Sequence, residues 1–313
     1  MKKSNQASPN KKLILITKEY DQRRADQALA TLTNRSRSYI NRLINRNLVT
    51  KEGDRIKASQ KVKAGDKFVV CFDLPAEKVS AHTTVELPKQ IVYEDDNIIV
   101  INKWSGQVVH PGPGQRTGTI TQALVNYQPR LAKIERAGLV HRLDKETSGV
   151  LLIAKDTITL MELKEQFTTR SIKKIYYCLC AGKVVAGRVE QPIARHPKKR
   201  FLRAIVSTGK EAITDYHPEN TFHHGQGQYT LLRVEPRTGR THQIRVHLQH
   251  QGHPILGDSM YNNKESRRLS QELNIKRVML HAKSLTFFHP LKNKEFTVTT
   301  DWPADFSTFL TSE

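Results

Sequence analysis

Apolar positions along this chain change rhythm several times, and the changes divide it into elements. Asp26 to Leu32 and Ser38 to Asn47 read as two short helices. In the second, Ile40, Leu43 and Ile44 recur at i, i+3 and i+4, and Ser38 stands where an N-cap would. "LVTKEGDRI" then reads as a hairpin with Gly53 at its turn, and "AGDKFVV" as a closing strand. Residues 73–90 hold Pro75 and Pro88 and show no clean period. Beyond them, 91–103 suggests a hairpin around an acidic turn, and "HPGPG" (110–114) a rigid loop. Residues 119–127 have helical spacing, with Ile120, Ala123 and Leu124 on one side. An apolar strand is expected over 149–155, and a helix over 157–168 with Leu160, Leu163 and Phe167 on one stripe. "KKIYYCLCAGKV" and 229–236 read as strands, and "THQIRVHLQHQG" as a helix with Gly252 as its C′ stop. "VMLHAKSLTFFHP" and "EFTVTT" complete the pattern as paired strands. Strands joined by a few helices, without strict βαβ alternation, imply an α+β fold. The expected division is a disordered tail (1–10), a small domain (11–74), a linker (75–90) and a larger domain (91–313) with a mixed, largely antiparallel sheet and flanking helices.

Charge changes the picture more than size does. The 313 residues, 37% of them hydrophobic, leave room for two domains with a sizeable core. Against 30 Asp and Glu stand 51 Lys and Arg, a net charge of +21. Such an excess repels itself unless a polyanion is the usual partner, and nucleic acid leads. A membrane surface is disfavoured, because no uninterrupted basic amphipathic helix is present. No apolar run approaches the ~20 residues of a membrane span, and "LILI" after the basic N-terminus is too short for a signal peptide. Cys71, Cys178 and Cys180 show no pairing pattern, which fits a reducing cytoplasm. Residues 1–73 carry 17 Lys and Arg against 7 Asp and Glu, nearly half the surplus in under a quarter of the chain. Arg35, Arg37, Arg42 and Arg46 fall mainly off the apolar stripe of the second helix, so they can face a phosphate backbone. Metal ligation is not expected. His242 and His247 stand at i, i+5, and His223 with His224 reads as a solvated pair in a polar loop.

The densest chemistry lies in "LVHRLDKETSG" (139–149), which sets His141, Arg142, Asp144, Lys145 and Glu146 between two apolar runs. Alone, Asp144 reads as a turn or capping carboxylate, and Arg142 as a surface charge. An active-site loop held still by the following strand is the sharper reading.

"HRLDKETSG" resembles the catalytic motif of the RluA-type pseudouridine synthases. "RSIKKIYYCLCAG" (170–182) resembles the family's second motif, whose Tyr, aligned on Arg170 and Ile172, is Tyr176. "RTGRTHQIRVHLQHQGHPILGD" (237–258) resembles the third, and its Arg is Arg245. "VVHPGPG" and "LHAKSLTFFHP" fit the same pattern, whereas 261–277 is lower in motif content. Residues 12–73, with helix, basic helix, hairpin and "V-x-AGD" strand, resemble the S4 RNA-binding domain, which narrows the likeness to the large-subunit rRNA branch.

The resemblance implies isomerisation of uridine in RNA, with 23S or precursor large-subunit rRNA as expected partner, no cofactor, no metal, no membrane, and a monomer in the cytoplasm. It implies that Asp144 is the nucleophile, by attack on sugar or base or by assisting an elimination. A carboxylate in an uncharged pocket loses its charge, so it needs a cation, and Arg245 is that partner by resemblance. Tyr176 offers a ring to lie against uracil and a hydroxyl for proton transfer. Flipping a base from its stack costs a few kcal/mol, and the Arg142 position helps hold the flipped state in this family. His141 is either structural or touches RNA. The rival readings are the same chemistry on tRNA and a non-catalytic RNA- or DNA-binding protein. The last would leave Asp144, Tyr176 and Arg245 at motif spacing unexplained.

Overall fold

The computed structural model describes residues 11–35, 37–72, 85–112, 115, 117–199 and 201–310. The chain divides into two compact units, Met1–Lys78 and Val79–Glu313. The expected tail (1–10), residues 113 and 114 of the "HPGPG" loop and most of the expected linker fall outside the described residues.

In the first unit β1 (Lys11–Leu15) is followed by α1 (Ala25–Leu32), α2 (Arg37–Asn45), β2 (Val49–Lys51), β3 (Asp54–Arg55) and β4 (Lys67–Cys71). The strands form an antiparallel sheet in the order β1-β4-β2-β3. The β2–β3 turn places Glu52 and Gly53 at φ 51° and 93°, the left-handed pair of a tight hairpin. Leu29, Ile40, Leu43 and Ile44 from the helices pack on Phe68 and Val70 of β4. Arg37 is already helical, so Ser38 lies inside α2 and is not its N-cap.

The second unit begins earlier than expected. Residues 87–90 form a 3-10 turn whose Leu87 and Gln90 are buried, and Val85 and Leu87 pack into the core. Residues 85–90 therefore belong to this unit and not to a linker. Then come β5 (Ile91–Glu94), β6 (Ile98–Lys103), α3 (Ile120–Tyr127), β7 (Ser148–Ala154), α4 (Thr157–Thr168), β8 (Lys173–Ala181), β9 (Gly187–Glu190), β10 (Ile193–Arg195) and β11 (Arg203–Ile205). The remainder is β12 (Ile213–His224), β13 (Gly227–Pro236), α5 (Gln243–His250), α6 (Lys264–Glu272), β14 (Leu280–His289), β15 (Lys294–Thr299) and α7 (Ala304–Ser307). His223 and His224 sit at the end of β12, paired with Gln228 and Gly227. The polar loop expected there is a strand end, because pairing with β13 rather than hydrophobicity carries this half of the strand.

One sheet runs β5-β6-β7-β14-β8-β13-β12-β9, with β15 on β14, and β10 and β11 form a separate hairpin. Every described pairing in the large sheet is antiparallel except β7 with β14. That seam holds two rungs, His281 opposite Ser148 and Ala282 opposite Gly149. Gly149 has φ 113°, and a Cβ there would lie 2.1 Å from the Ala282 carbonyl oxygen, so only glycine lets the strands meet. β7 is buried along its whole length, which suits its unbroken apolar run. α4 is capped by Asp156, whose carboxylate accepts the Thr159 N–H at 2.8 Å, a bond worth ~1 kcal/mol. α5 ends at His250, with Gln251 as its C-cap and Gly252 following at φ 83° as its stop. It starts at Gln243, two residues later than the sequence pattern suggested, because His242 takes a left-handed conformation.

Candidate active site

The charged stretch before β7 is held by its backbone. Leu139 and Leu143 are buried on either side of His141, whose Nε2 accepts the Leu152 N–H at 3.0 Å and whose ring stacks on Phe167. Burial pulls the His141 pKa down to about 3, so the ring is neutral. Its Nε2 is taken up by the protein, which supports the structural reading of His141, while the ring still lines the cavity described below. On the other side Lys103 at the end of β6 is fully buried, and its Nζ donates to the carbonyls of Trp104, Gln107 and Lys145, each at 3.0 Å. Burial lowers its pKa to about 7 against the pull of Asp144 and Glu146. The Ser105 hydroxyl donates to the Glu146 carbonyl at 2.7 Å, and the Gly106 N–H to the Lys145 carbonyl at 2.9 Å. Two loops are thus joined through main-chain atoms, which leaves the Arg142 and Asp144 side chains to face a cavity of about 550 Å³.

Tyr176 and Arg245 line the same cavity. Successive residues of a strand face opposite ways. Tyr177 accordingly points to the other side and meets Trp302 edge-on at 5.0 Å, while Tyr176 shares the pocket with Asp144. Burial, and then the Asp144 charge, push the Tyr176 hydroxyl well above its usual pKa, so it holds its proton at neutral pH.

Arg245 and Asp144 come together across 101 positions of sequence, but not as a forked pair. The Arg245 fork is taken by Asp258: Nε donates at 2.6 Å and Nη2 at 2.9 Å. Only Nη1 turns to Asp144, at 3.5 Å. The Asp258 carboxylate also accepts the N–H groups of Met260 and Tyr261 at 2.9 and 3.0 Å, so every strong donor around it is satisfied. Arg245 lies over the Tyr261 ring at 5.1 Å. The cation that the resemblance assigns to Asp144 thus reaches it through one nitrogen only, because a side chain buried in α5 meets first the turn beyond its own helix. Asp258 and Tyr261 were missed by sequence reasoning. Asp258 was legible as the acidic end of "HPILGD", whereas Tyr261 opens a segment with no motif signal.

Cations ring the pocket mouth. Arg142 is exposed there. Lys174 donates to the Thr238 carbonyl at 3.1 Å, and burial lowers its pKa to about 8. Arg237 pairs with Asp215 at 2.7 Å, and Arg240 donates to the Glu211 carbonyl at 2.9 Å. The four arginines expected to bind RNA belong to the first unit. Arg35 and Arg42 lie over the Tyr39 ring at 5.8 and 5.5 Å, and Arg46 is half-buried. Arg37 is engaged with buried Asp26 at 2.9 Å, where Arg24 also binds, so it is less available to a phosphate than its place off the apolar stripe suggested. Among the described residues no helix is long and apolar enough to cross a membrane.

The family described as RNA pseudouridylate synthase matches residues 97–250, a span that includes Asp144, Tyr176 and Arg245. Similar relatives include the ribosomal large subunit pseudouridine synthase D of Pasteurella multocida, 40% identical over 90% of this chain and 89% of that protein. That of Yersinia pestis is 39% identical over 86% and 84%. Among solved structures, human RNA pseudouridylate synthase domain containing 1 superposes with a TM-score of 0.57 at 26% identity, over 72% of this chain and 86% of the other. Domain containing 4 does so at 0.55 and 28%, over 72% and 92%. Three ordered motifs that converge on one pocket, and relatives that align across almost the whole chain, lead to one assignment: the chain belongs to the RluA-type RNA pseudouridine synthases.

Proposed function

We propose that the substrate is large-subunit ribosomal RNA and that Asp144 is the nucleophile. The observation that carries this is the carboxylate itself, 17% exposed at the foot of a cation-rimmed cavity, with the buried Arg245 guanidinium beside it. The cavity is within the size range of small-molecule sites, so it has room for one extruded nucleotide, and its rim carries the charge that a backbone requires. In this reading Arg245, aimed by Asp258, stabilises negative charge at Asp144. Tyr176 lies against the uracil as a protonated phenol, and Arg142 enters the space left by the flipped base. The curated relatives named above act on the large ribosomal subunit by their names, and their alignment over the first unit as well favours that target over tRNA. The first unit, with its S4-like order, anchors RNA through Arg35, Arg42 and neighbouring cations. The enzyme works as a cytoplasmic monomer without metal or cofactor.

Asp144→Asn should abolish tritium release from RNA carrying 5-tritiated uridine and leave RNA affinity within a few-fold. Activity within tenfold of wild type would remove Asp144 from the mechanism. Pseudouridine mapping of rRNA and tRNA from cells with and without the gene tests the target. Loss confined to tRNA would overturn the ribosomal assignment.

A further inference from the structure

His242 is held in a way that helix capping does not explain. It immediately precedes α5, yet its side chain makes no capping hydrogen bond. Its backbone sits at φ 57° and ψ 20°, a left-handed conformation that costs a non-glycine residue ~1 kcal/mol. The conformation turns the imidazole toward the pocket, where Nε2 lies 4.0 Å from Asp144 Oδ2. Arg245, Asp258 and Arg203 are the other charged groups whose fields reach it.

The other ring nitrogen decides which proton is present. The Tyr261 hydroxyl oxygen accepts the Arg203 N–H at 2.7 Å. Its own proton then has one described acceptor, His242 Nδ1, at 2.9 Å. Burial raises the Tyr261 pKa and lowers that of His242, so the phenol keeps its proton and the imidazole stays neutral. Nδ1 is therefore the acceptor and Nε2 carries the hydrogen. A directed chain results, from the backbone of β11 through Tyr261 and His242 to the carboxylate.

We propose that His242 is a positioning residue for Asp144, fixed by Tyr261 as the Nε2–H tautomer so that it presents a neutral N–H donor to Oδ2, the same carboxylate oxygen that Arg245 Nη1 faces at 3.5 Å. The proposal rests on the reading of Asp144 as nucleophile. A 4.0 Å separation is long for a hydrogen bond, but such contacts tighten when substrate displaces water. A neutral donor orients the carboxylate without adding a second full charge that would hold it back from carbon. The hairpin of β10 and β11 carries Arg195, Lys198, Lys199 and Arg203, so one end of the chain is basic surface and the other is the proposed nucleophile.

Single-turnover tritium release at saturating RNA, with the full-length protein, tests this alongside direct RNA binding. His242→Ala should slow the chemical step roughly 10- to 100-fold, the worth of one hydrogen bond to a charged group, with RNA affinity within twofold. His242→Gln, whose amide nitrogen reaches the Nε2 position, should recover to within about fivefold. His242→Asn, which suits the left-handed backbone better but reaches only as far as Nδ1, should not recover. Tyr261→Phe should lose a comparable factor. In the unsubstituted protein, long-range 15N–1H correlation spectra should show His242 protonated on Nε2. A His242 protonated on Nδ1, a loss that falls on affinity, or equal rates for Gln and Asn would overturn the proposal. An inactive Asp144→Asn with a fully active His242→Ala would overturn it while leaving the nucleophile in place.

Discussion

Replacing Asp258 by Asn tests whether the Arg245–Asp258 fork is what aims Arg245. The change is nearly isosteric. It keeps Oδ1, which accepts from Arg245 Nη2, Met260 N and Tyr261 N, but puts an NH2 where Oδ2 accepts from Arg245 Nε at 2.6 Å. Two donors then face each other, and a guanidinium whose side chain is 4% exposed loses its counter-charge. Breaking a buried ion pair at one end costs about 3–5 kcal/mol, a large part of the 5–15 kcal/mol that typically holds a domain. For a unit of this size each kcal/mol is worth about 2–4 °C in Tm, so Tm should fall by roughly 10 °C while the fold persists at 20 °C. Freed from the fork, Nη1 is no longer directed at Asp144, and the single-turnover rate should drop by about two to three orders of magnitude. Calorimetry and tritium release read the two effects separately. The double variant Arg245→Met/Asp258→Asn removes both charges, keeps Oδ1 as acceptor for the Met260 and Tyr261 N–H groups, and should regain most of the lost stability while remaining inactive. A Tm within 2 °C of wild type together with a rate within threefold would refute the argument. A lowered Tm with an unchanged rate would refute the positioning role alone.

Other outcomes follow from groups already described. His141 and His281 are each pulled to about 3 by burial, so the folded state resists the protons that the unfolded chain accepts near pH 6.5. Their stabilisation is complete above pH 6.5 and is lost as pH falls toward 3. Urea titrations should show stability dropping by about 2–3 kcal/mol per pH unit between pH 6 and 4.5, and a flat profile there would contradict the burial of both rings. Because Tyr176 holds its proton, the pH–rate profile of Tyr176→Phe should parallel that of wild type from pH 6 to 9. A limb that vanishes in the variant would make the phenol a base. Replacing Arg35 and Arg42 together by Gln should weaken RNA binding and reduce its log–log salt slope by roughly 2, with the rate at saturating RNA unchanged. An unaltered slope would remove both from the interface. Gly149→Ala forces a Cβ to 2.1 Å from a carbonyl oxygen and should leave little folded protein at 37 °C, judged by soluble yield and Tm.

The sequence showed β7 and α4 clearly, since an unbroken apolar run and a stripe at Leu160, Leu163 and Phe167 leave few other structures open. β12 was hidden. Its "HPENTFHH" half is polar or exposed at most positions, and it is held by pairing with β13, which no local pattern announces. Residues 85–90 looked like linker because two buried side chains in six residues make no period. The motif residues were legible one by one, but their mutual geometry was not. Asp144 and Asp258 are equally acidic on paper, and only the turn after α5 decides which of them Arg245 binds with two nitrogens. His141 reads as a polar residue in a charged loop, yet its stacking on Phe167 and its bond to the Leu152 N–H turn it into part of the scaffold.

The two-rung seam between β7 and β14 bears on when the enzyme becomes competent during folding. Strands β5 to β7 lie on one side of it, with the Asp144 loop, while Tyr176 and Arg245 come from elements packed on the other. The antiparallel neighbours β5–β6, β12–β13 and β14–β15 close over short loops. The parallel contact joins Ser148 to His281 across most of the unit, and contacts at such separation close slowly. Each half-sheet can acquire its secondary structure before the seam zips, and until it does the Asp144 carboxylate and the Arg245 guanidinium belong to different bodies. On refolding from urea, activity should therefore return later than far-ultraviolet circular dichroism. Mutations that loosen the seam should lengthen this delay more than they lower the final yield of active enzyme, so an assay for pseudouridine would also time the last long-range step of folding.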